Sequence, residues 1–204
     1  QKQIKFPFIA LVVSGGHTDL YRVNNFGQYR LLGRTRDDAA GESFDKVAKM
    51  LGHKYPGGPK IEKMAVEGNS KSHKFPRSYL EKASLDFSFS GLKTSVKNYI
   101  DKLQSSNGLS DCDIAASFQE AVVEVLSKKI IMACEQEGLS RVVVTGGVAS
   151  NGALRKAVAS VCSDSGYESW FPDPIFCTDN AAMIACAGYL KFKNFPESKA
   201  DLLN

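Results

Sequence analysis

Histidine is scarce in this chain: only His17, His53 and His73 occur, and no two stand at the H-E-x-x-H or H-x-x-x-H spacing of a helical metal site. The five cysteines (Cys112, Cys134, Cys162, Cys177 and Cys186) are odd in number and contain no C-x-x-C pair, which argues against a zinc cluster or a redox dithiol. Reduced thiols of a cytoplasmic protein are the default reading. No apolar run approaches the roughly 20 residues that cross a bilayer, and the N-terminal Q-K-Q-I-K-F-P-F is too short in its apolar part for a signal peptide. The P-loop pattern G-x-x-x-x-G-K-S/T and the dinucleotide fingerprint G-x-G-x-x-G are both missing, and G91-L-K-T94 is only a partial likeness. No Ser–His–Asp or Cys–His set can be argued from the sequence.

What is present is an ordinary globular composition. Hydrophobic residues make up 43% of the 204 residues and charged ones 24%, enough for a packed core. The net charge of +4 permits a phosphate-bearing partner without demanding one. The densest basic stretch, K71-S-H-K-F-P-R77 with Lys82 beyond it, reads as a solvated loop before it reads as a nucleic-acid contact.

The pattern predicts strands over Phe8 to Val13, Asp19 to Val23 and Tyr29 to Gly33, joined through the turn N24-N-F-G27 as a meander. A helix over Ser43 to Leu51 puts Phe44, Val47, Ala48 and Leu51 on one face. After Y55-P-G-G-P59, Pro59 can open a second helix at its first position. Residues 69–86 are polar and irregular, S105-S-N-G-L-S110 is a loop, and a long helix runs from Ser110, paired with Asp113 as a capping box, to Gly138. R141-V-V-V-T145 suits the centre of a sheet, G146-G-V-A-S-N-G152 turns directly into a helix, a strand covers Glu168 to Phe171, and a last helix begins near Thr178 and Asp179. Strands followed by helix–strand alternation predict an α/β fold, a mixed sheet with helices on its faces.

Three glycine pairs, Gly15–Gly16, Gly57–Gly58 and Gly146–Gly147, each stand where an apolar element meets a turn. Bare backbone at such turns lets a phosphate or nucleotide approach closely. One pair alone reads as turn chemistry, whereas three in one small domain point to a nucleotide site. S14-G-G16, followed later by V142-V-V-T-G-G-V-A-S-N151, is similar to the phosphate turn and adenosine strand of the actin/Hsp70/sugar-kinase (ASKHA) superfamily.

Six blocks narrow the likeness: V13-S-G-G-H-T18, D37-D-A-A-G-E-S-F-D-K-V-A-K49, Y55-P-G-G-P59, D86-F-S-F-S-G-L-K-T94, V144-T-G-G-V-A-S-N151 and F176-C-T-D-N-A-A-M-I-A185. Together and in this order they resemble the TsaD family, the bacterial tRNA N6-adenosine threonylcarbamoyltransferases formerly labelled glycoproteases. The resemblance implies that Val12, Val13, Ser14, Gly15 and Gly16 line threonylcarbamoyl-AMP, ATP or AMP through backbone atoms. It implies further that Asp45 and Glu62 face the ribose, that Gly58 lies against the nucleotide, and that Asn151 holds it. Asp179 matches the family's metal-binding aspartate; without the other blocks it would read as a carboxylate in the first turn of a helix. Asp37, Asp38 and Glu42 read as capping or solvating the first helix, His17 as a hydrogen-bonding loop residue, and Phe87 and Phe89 as core.

The implied activity is transfer of threonylcarbamoyl to tRNA, with one divalent metal (iron or zinc) per subunit and with an inactive paralogue and a small ATPase as partners. The family's H-x-x-x-H motif precedes S-G-G-H-T and is absent here, so the expectation is a C-terminal lobe and nucleotide cleft spanning 1–204, which alone retains no metal and is inactive. Rival readings are a generic ASKHA-type ATPase or sugar kinase, and a non-enzymatic partner-binding lobe. A metalloprotease is the weakest reading, for lack of a zincin motif.

Overall fold

A computed structural model of the protein describes residues 4–78, 83–103 and 110–194. Lys82, the basic flank, and residues 105–109 of the loop expected over 105–110 lie outside the described residues.

Three strands open the fold: β1 (Phe8–Val13), β2 (Thr18–Asn25) and β3 (Gln28–Arg34). They pair antiparallel in series, with Leu11 opposite Leu20, and Gly27 supplies the positive φ of the β2–β3 turn. Helices α1 (Ala40–Met50), α2 (Gly58–Glu67), α3 (Ser90–Leu103) and α4 (Asp111–Glu137) follow before the chain returns as β4 (Arg141–Thr145). Then come α5 (Gly152–Asp164), the short β5 (Glu168–Trp170) and α6 (Ala181–Asn194). The sheet order is β3-β2-β1-β4-β5, with β4 parallel to both β1 and β5. This is the expected mixed sheet.

Ile9, Leu11, Val13, Val142 and Val144 are buried on one face of the sheet, the period-2 pattern of a covered surface. The centre of the core is α4, whose Phe118, Val122, Leu126 and Ile130 are fully buried. Its sequence is apolar around most of its circumference because it packs on α2, α5 and β1 at once. Ser110 Oγ accepts from the Asp113 amide at 3.1 Å, and Gly138 closes the helix in the left-handed conformation, so both termini fall where the capping pattern put them.

Three local expectations change. The first helix starts at Ala40, not Ser43, because Thr18 Oγ1 accepts from the Ala40 amide at 2.9 Å and holds the chain against β2. Pro59 stands second in α2 after Gly58, and a 3-10 turn over Gly147–Ser150, beginning at the second glycine of the last pair, precedes α5. Phe87 and Phe89 are fully buried and stacked at 6.3 Å, as expected of core residues.

Candidate functional site

One cavity of about 310 Å³ is lined by Gly15, Asp45, Gly58, Glu62 and Asn151 of the residues the sequence points to, whereas Val12, Val13, Ser14, Gly16 and Asp179 are not among its lining residues. It is within the size range of small-molecule sites. Gly15, Gly58 and Gly147, one member of each glycine pair, line it together with Asp45, Glu62 and Asn151. The blocks that carry these residues are far apart in sequence, and the β1–β4 pairing together with α1 and α2 brings them to one place.

Two of the glycine pairs divide their work. A Cβ on Gly146 would stand 2.3 Å from the Val13 carbonyl oxygen, and its φ of +98° is open to glycine alone. A Cβ on Gly57 would stand 2.6 Å from Ala48 Cβ. Their neighbours Gly147 and Gly58 would meet nothing within 4 Å. The first glycine of each pair therefore lets two elements close together, and the second presents bare backbone to the cavity.

The Ser14–His17 lip of the cavity is a tight turn. Ser14 N donates to the His17 carbonyl at 2.8 Å, and Ser14 Oγ accepts from the Gly16 and His17 amides at 3.3 and 3.1 Å. His17 is exposed and serves this turn through its backbone, in keeping with a loop role. Gly15 and Gly16 are exposed, whereas the Val13 side chain is fully buried, so this valine can offer only main-chain atoms to a ligand. Gly41, at the start of α1, donates to the Ser14 carbonyl at 3.1 Å and fixes the lip against the helix.

Two carboxylates stand in the wall, and each uses one oxygen to lock a loop. Asp45 Oδ1 accepts from the Gly57 amide at 2.7 Å, and Glu62 Oε1 accepts from the Gly152 amide at 2.7 Å. The second oxygen of each makes no hydrogen bond among the described residues and remains available to a ligand hydroxyl. Asn151 is almost fully buried: Oδ1 caps α5 at the Leu154 amide, 2.9 Å away, and Nδ2 donates to Gln119 Oε1 at 2.8 Å. Its side chain thus builds the wall.

Asp179 is exposed and lies outside the first turn of α6. That helix starts at Ala181 and is capped by Asn180, whose Oδ1 accepts from the Met183 amide at 2.9 Å. Its neighbour Thr178 lines the cavity. Among the described residues no group of three or more His, Cys, Asp or Glu side chains is placed to hold a metal. A divalent site takes three or four protein ligands, so the residues present do not make a complete metal centre.

Asp37 and Asp38 do more than solvate a helix end. The Asp37 carboxylate accepts from Ser90 Oγ at 2.6 Å and from the Phe89 amide at 2.8 Å, which ties the F-S-F-S-G segment to the start of α1. Burial pushes the Asp37 pKa up, but its hydrogen bonds from Ser88, Ser90 and Phe89 outweigh burial and hold it below the usual carboxylate range. Asp38 bridges Lys46 of α1 at 2.8 Å and Lys93 of α3 at 2.7 Å, while Glu42 pairs with Lys46. In the basic stretch, Arg77 is spent on Glu124 and the Phe75 carbonyl, and Phe75 is fully buried. That segment is a packed loop in which Lys71 and Lys74 are the exposed cations among residues 71–77.

Sequence reasoning missed Gly41, Phe44, Tyr55, Val148 and Thr178 as cavity residues. The glycine at the start of an amphipathic helix was the one available signal, since Gly41 approaches Ser14 too closely for a Cβ.

No helix among the described residues is long and apolar enough to cross a membrane. In fold, the chain is similar to HypF, crystallised full-length in the phosphate- and nucleotide-bound form, with a TM-score of 0.68 at 12% identity over 86% of this chain and 32% of that one. The HypF of T. kodakarensis gives a TM-score of 0.66 at 14% identity, covering 90% of this chain and 34% of that one. The likeness is one of fold, a mixed sheet with helices on its faces. In sequence, it is 52% identical over 194 residues to the tRNA N6-adenosine threonylcarbamoyltransferase of Clostridioides difficile, matching 95% of this chain and 57% of that protein. It is 56% identical over 192 residues to the enzyme of the same name from Thermodesulfovibrio yellowstonii, 92% of this chain and 57% of that one. The chain thus spans little more than half the length of these curated relatives. The family described as TsaD, tRNA N6-adenosine threonylcarbamoyltransferase, matches residues 1–186, and the chain belongs to that family.

Proposed function

We propose that this protein acts in threonylcarbamoylation of tRNA, moving the threonylcarbamoyl group of threonylcarbamoyl-AMP to N6 of the adenosine beside the anticodon. The observation that carries this reading is the convergence of one glycine from each pair on a cavity that also holds Asp45 and Glu62. In it, the backbone of Val12 to Gly16 faces the phosphate, and the free oxygens of Asp45 and Glu62 accept from the ribose hydroxyls. Gly58 and Gly147 lie against the nucleoside, and Asn151 keeps the α5 wall in place behind it.

The reaction is attack of the N6 amine on the carbamoyl carbon. The new N–C bond forms as the bond from that carbon to the phosphate oxygen breaks, AMP leaves with the electron pair, and N6 gives up a proton. In this reading the cleft residues contribute by positioning the reactants. A divalent ion, iron or zinc, would need ligands beyond Asp179, and these we assign to a second lobe of the protein outside residues 1–204. In the cytoplasm the partners are tRNA, an inactive paralogue and a small ATPase, with this chain supplying the lobe that holds the nucleotide.

The test is incorporation of radiolabelled threonine into tRNA from threonylcarbamoyl-AMP by the full-length protein, with and without Asp45→Ala. The reading expects incorporation by the parent and a loss of at least tenfold in the variant. Phosphate release from ATP with no transfer would favour a generic ATPase instead.

A further inference from the structure

A second groove, of about 570 Å³, adjoins the candidate cleft and shares two residues with it, Asp45 and Tyr55. Its remaining wall comes from the exposed side of α1 and the strap after it, notably Lys46, Lys49, His53 and Lys54. Gly52, with φ +80°, ends α1 and turns the strap back, and His53 N donates to the Ala48 carbonyl at 2.9 Å. The strap is therefore held in place by backbone geometry, and its side chains are left to face outward.

The charge of this groove is unbalanced. Glu42 and Lys46 pair at 2.7 Å, and Lys46 also meets Asp38. Asp45 has one oxygen committed to the Gly57 amide. Lys49 and Lys54 are exposed and form no ion pair among the described residues. Between the groove and the cleft stands Tyr55, whose side chain is 83% exposed although it is an aromatic at the rim of an apolar cavity. Exposed cations beside an uncovered aromatic ring are the elements with which proteins hold single-stranded nucleic acid, the cations on phosphates and the ring on an unstacked base.

We infer that the α1–strap groove is a docking surface for single-stranded RNA, with Lys49 and Lys54 on backbone phosphates and Tyr55 stacking a base at the mouth of the cleft. This rests on the proposed function, in which the acceptor is a nucleoside in an RNA loop. It adds the route by which that loop reaches the cleft. An acidic protein partner would engage the lysines equally but has no use for the tyrosine face.

Binding of a fluorescein-labelled anticodon stem-loop RNA, followed by anisotropy at several salt concentrations, tests the assignment. The double variant Lys49→Ala/Lys54→Ala is expected to bind RNA about tenfold more weakly, with a log K against log salt slope smaller by roughly 0.7 per lysine. Tyr55→Ala is expected to lose about tenfold, with Tyr55→Phe retaining parent affinity. AMP affinity of the lysine variant, measured by calorimetry, stays at the parent value. Parent-like RNA affinity and slope in the lysine variant would overturn the inference, as would polyglutamate binding with the same sensitivity to Tyr55→Ala. A parent protein that binds AMP but no RNA also overturns it and leaves the cleft reading standing. RNA results as expected with no AMP binding would sink the cleft reading alone.

Discussion

Replacing Gly146 by alanine probes how the cleft is closed. Gly146 follows β4 and lies so near the end of β1 that an added Cβ would sit 2.3 Å from the Val13 oxygen and 3.1 Å from its nitrogen. Two costs add. Holding alanine at φ +98° costs about 1–3 kcal/mol. Relieving the overlap requires β1 and β4 to part near the Val12–Thr145 pair, which endangers at least one ladder hydrogen bond worth about 1 kcal/mol. The sum is roughly 2–4 kcal/mol, which for a chain of this size lowers Tm by about 5–15 °C. Gly147→Ala is the internal control, because its Cβ meets nothing within 4 Å, and its cost should stay below about 1 kcal/mol. Urea and thermal unfolding followed by circular dichroism read both. Equal losses in the two variants would refute the division of labour within the pair.

Asn151→Ala removes the α5 cap, worth about 1 kcal/mol, and leaves the nearly buried Gln119 without its partner, about 1–3 kcal/mol more. Urea unfolding should show a loss of roughly 2–4 kcal/mol. Asp37 supplies a pH dependence. Its folded pKa is depressed, so its stabilisation is fully present above the unfolded value and is lost as pH falls through the folded one. The stability gap between the parent and Asp37→Asn should therefore be constant from neutral pH to about pH 5 and narrow below about pH 4, as read by urea unfolding at a series of pH values.

Much of the fold was legible because local signals were strong. The short apolar runs of β1 and β4, each halted by a glycine pair, and the capping residues of α4 are signals carried within one stretch of chain. The glycine pairs were legible as a group, but not the distinct task of each member. That distinction depends on Val13 and Ala48, which are distant in sequence and adjacent in space. The local pattern around Asp37 suggests a residue that caps or solvates a helix, whereas its partners are Ser88, Phe89 and Ser90, about fifty positions away, a contact no local pattern encodes. Asn151 showed the opposite limit. Its place in the cavity wall was legible, whereas the commitment of both its side-chain ends to Leu154 and Gln119 was not.

If Gly15, Gly58 and Gly147 with Asp45 and Glu62 build one nucleotide site, calorimetric titration with AMP, set beside Asp45→Ala and Asp45→Asn, shows it. Saturable one-to-one binding is expected of the parent, and at least tenfold weaker binding of Asp45→Ala. Asp45→Asn should fall between them, since its amide oxygen can still accept from the Gly57 amide. Parent protein that fails to bind AMP, or binds it equally well without the Asp45 carboxylate, would rule out a nucleotide site in this cavity.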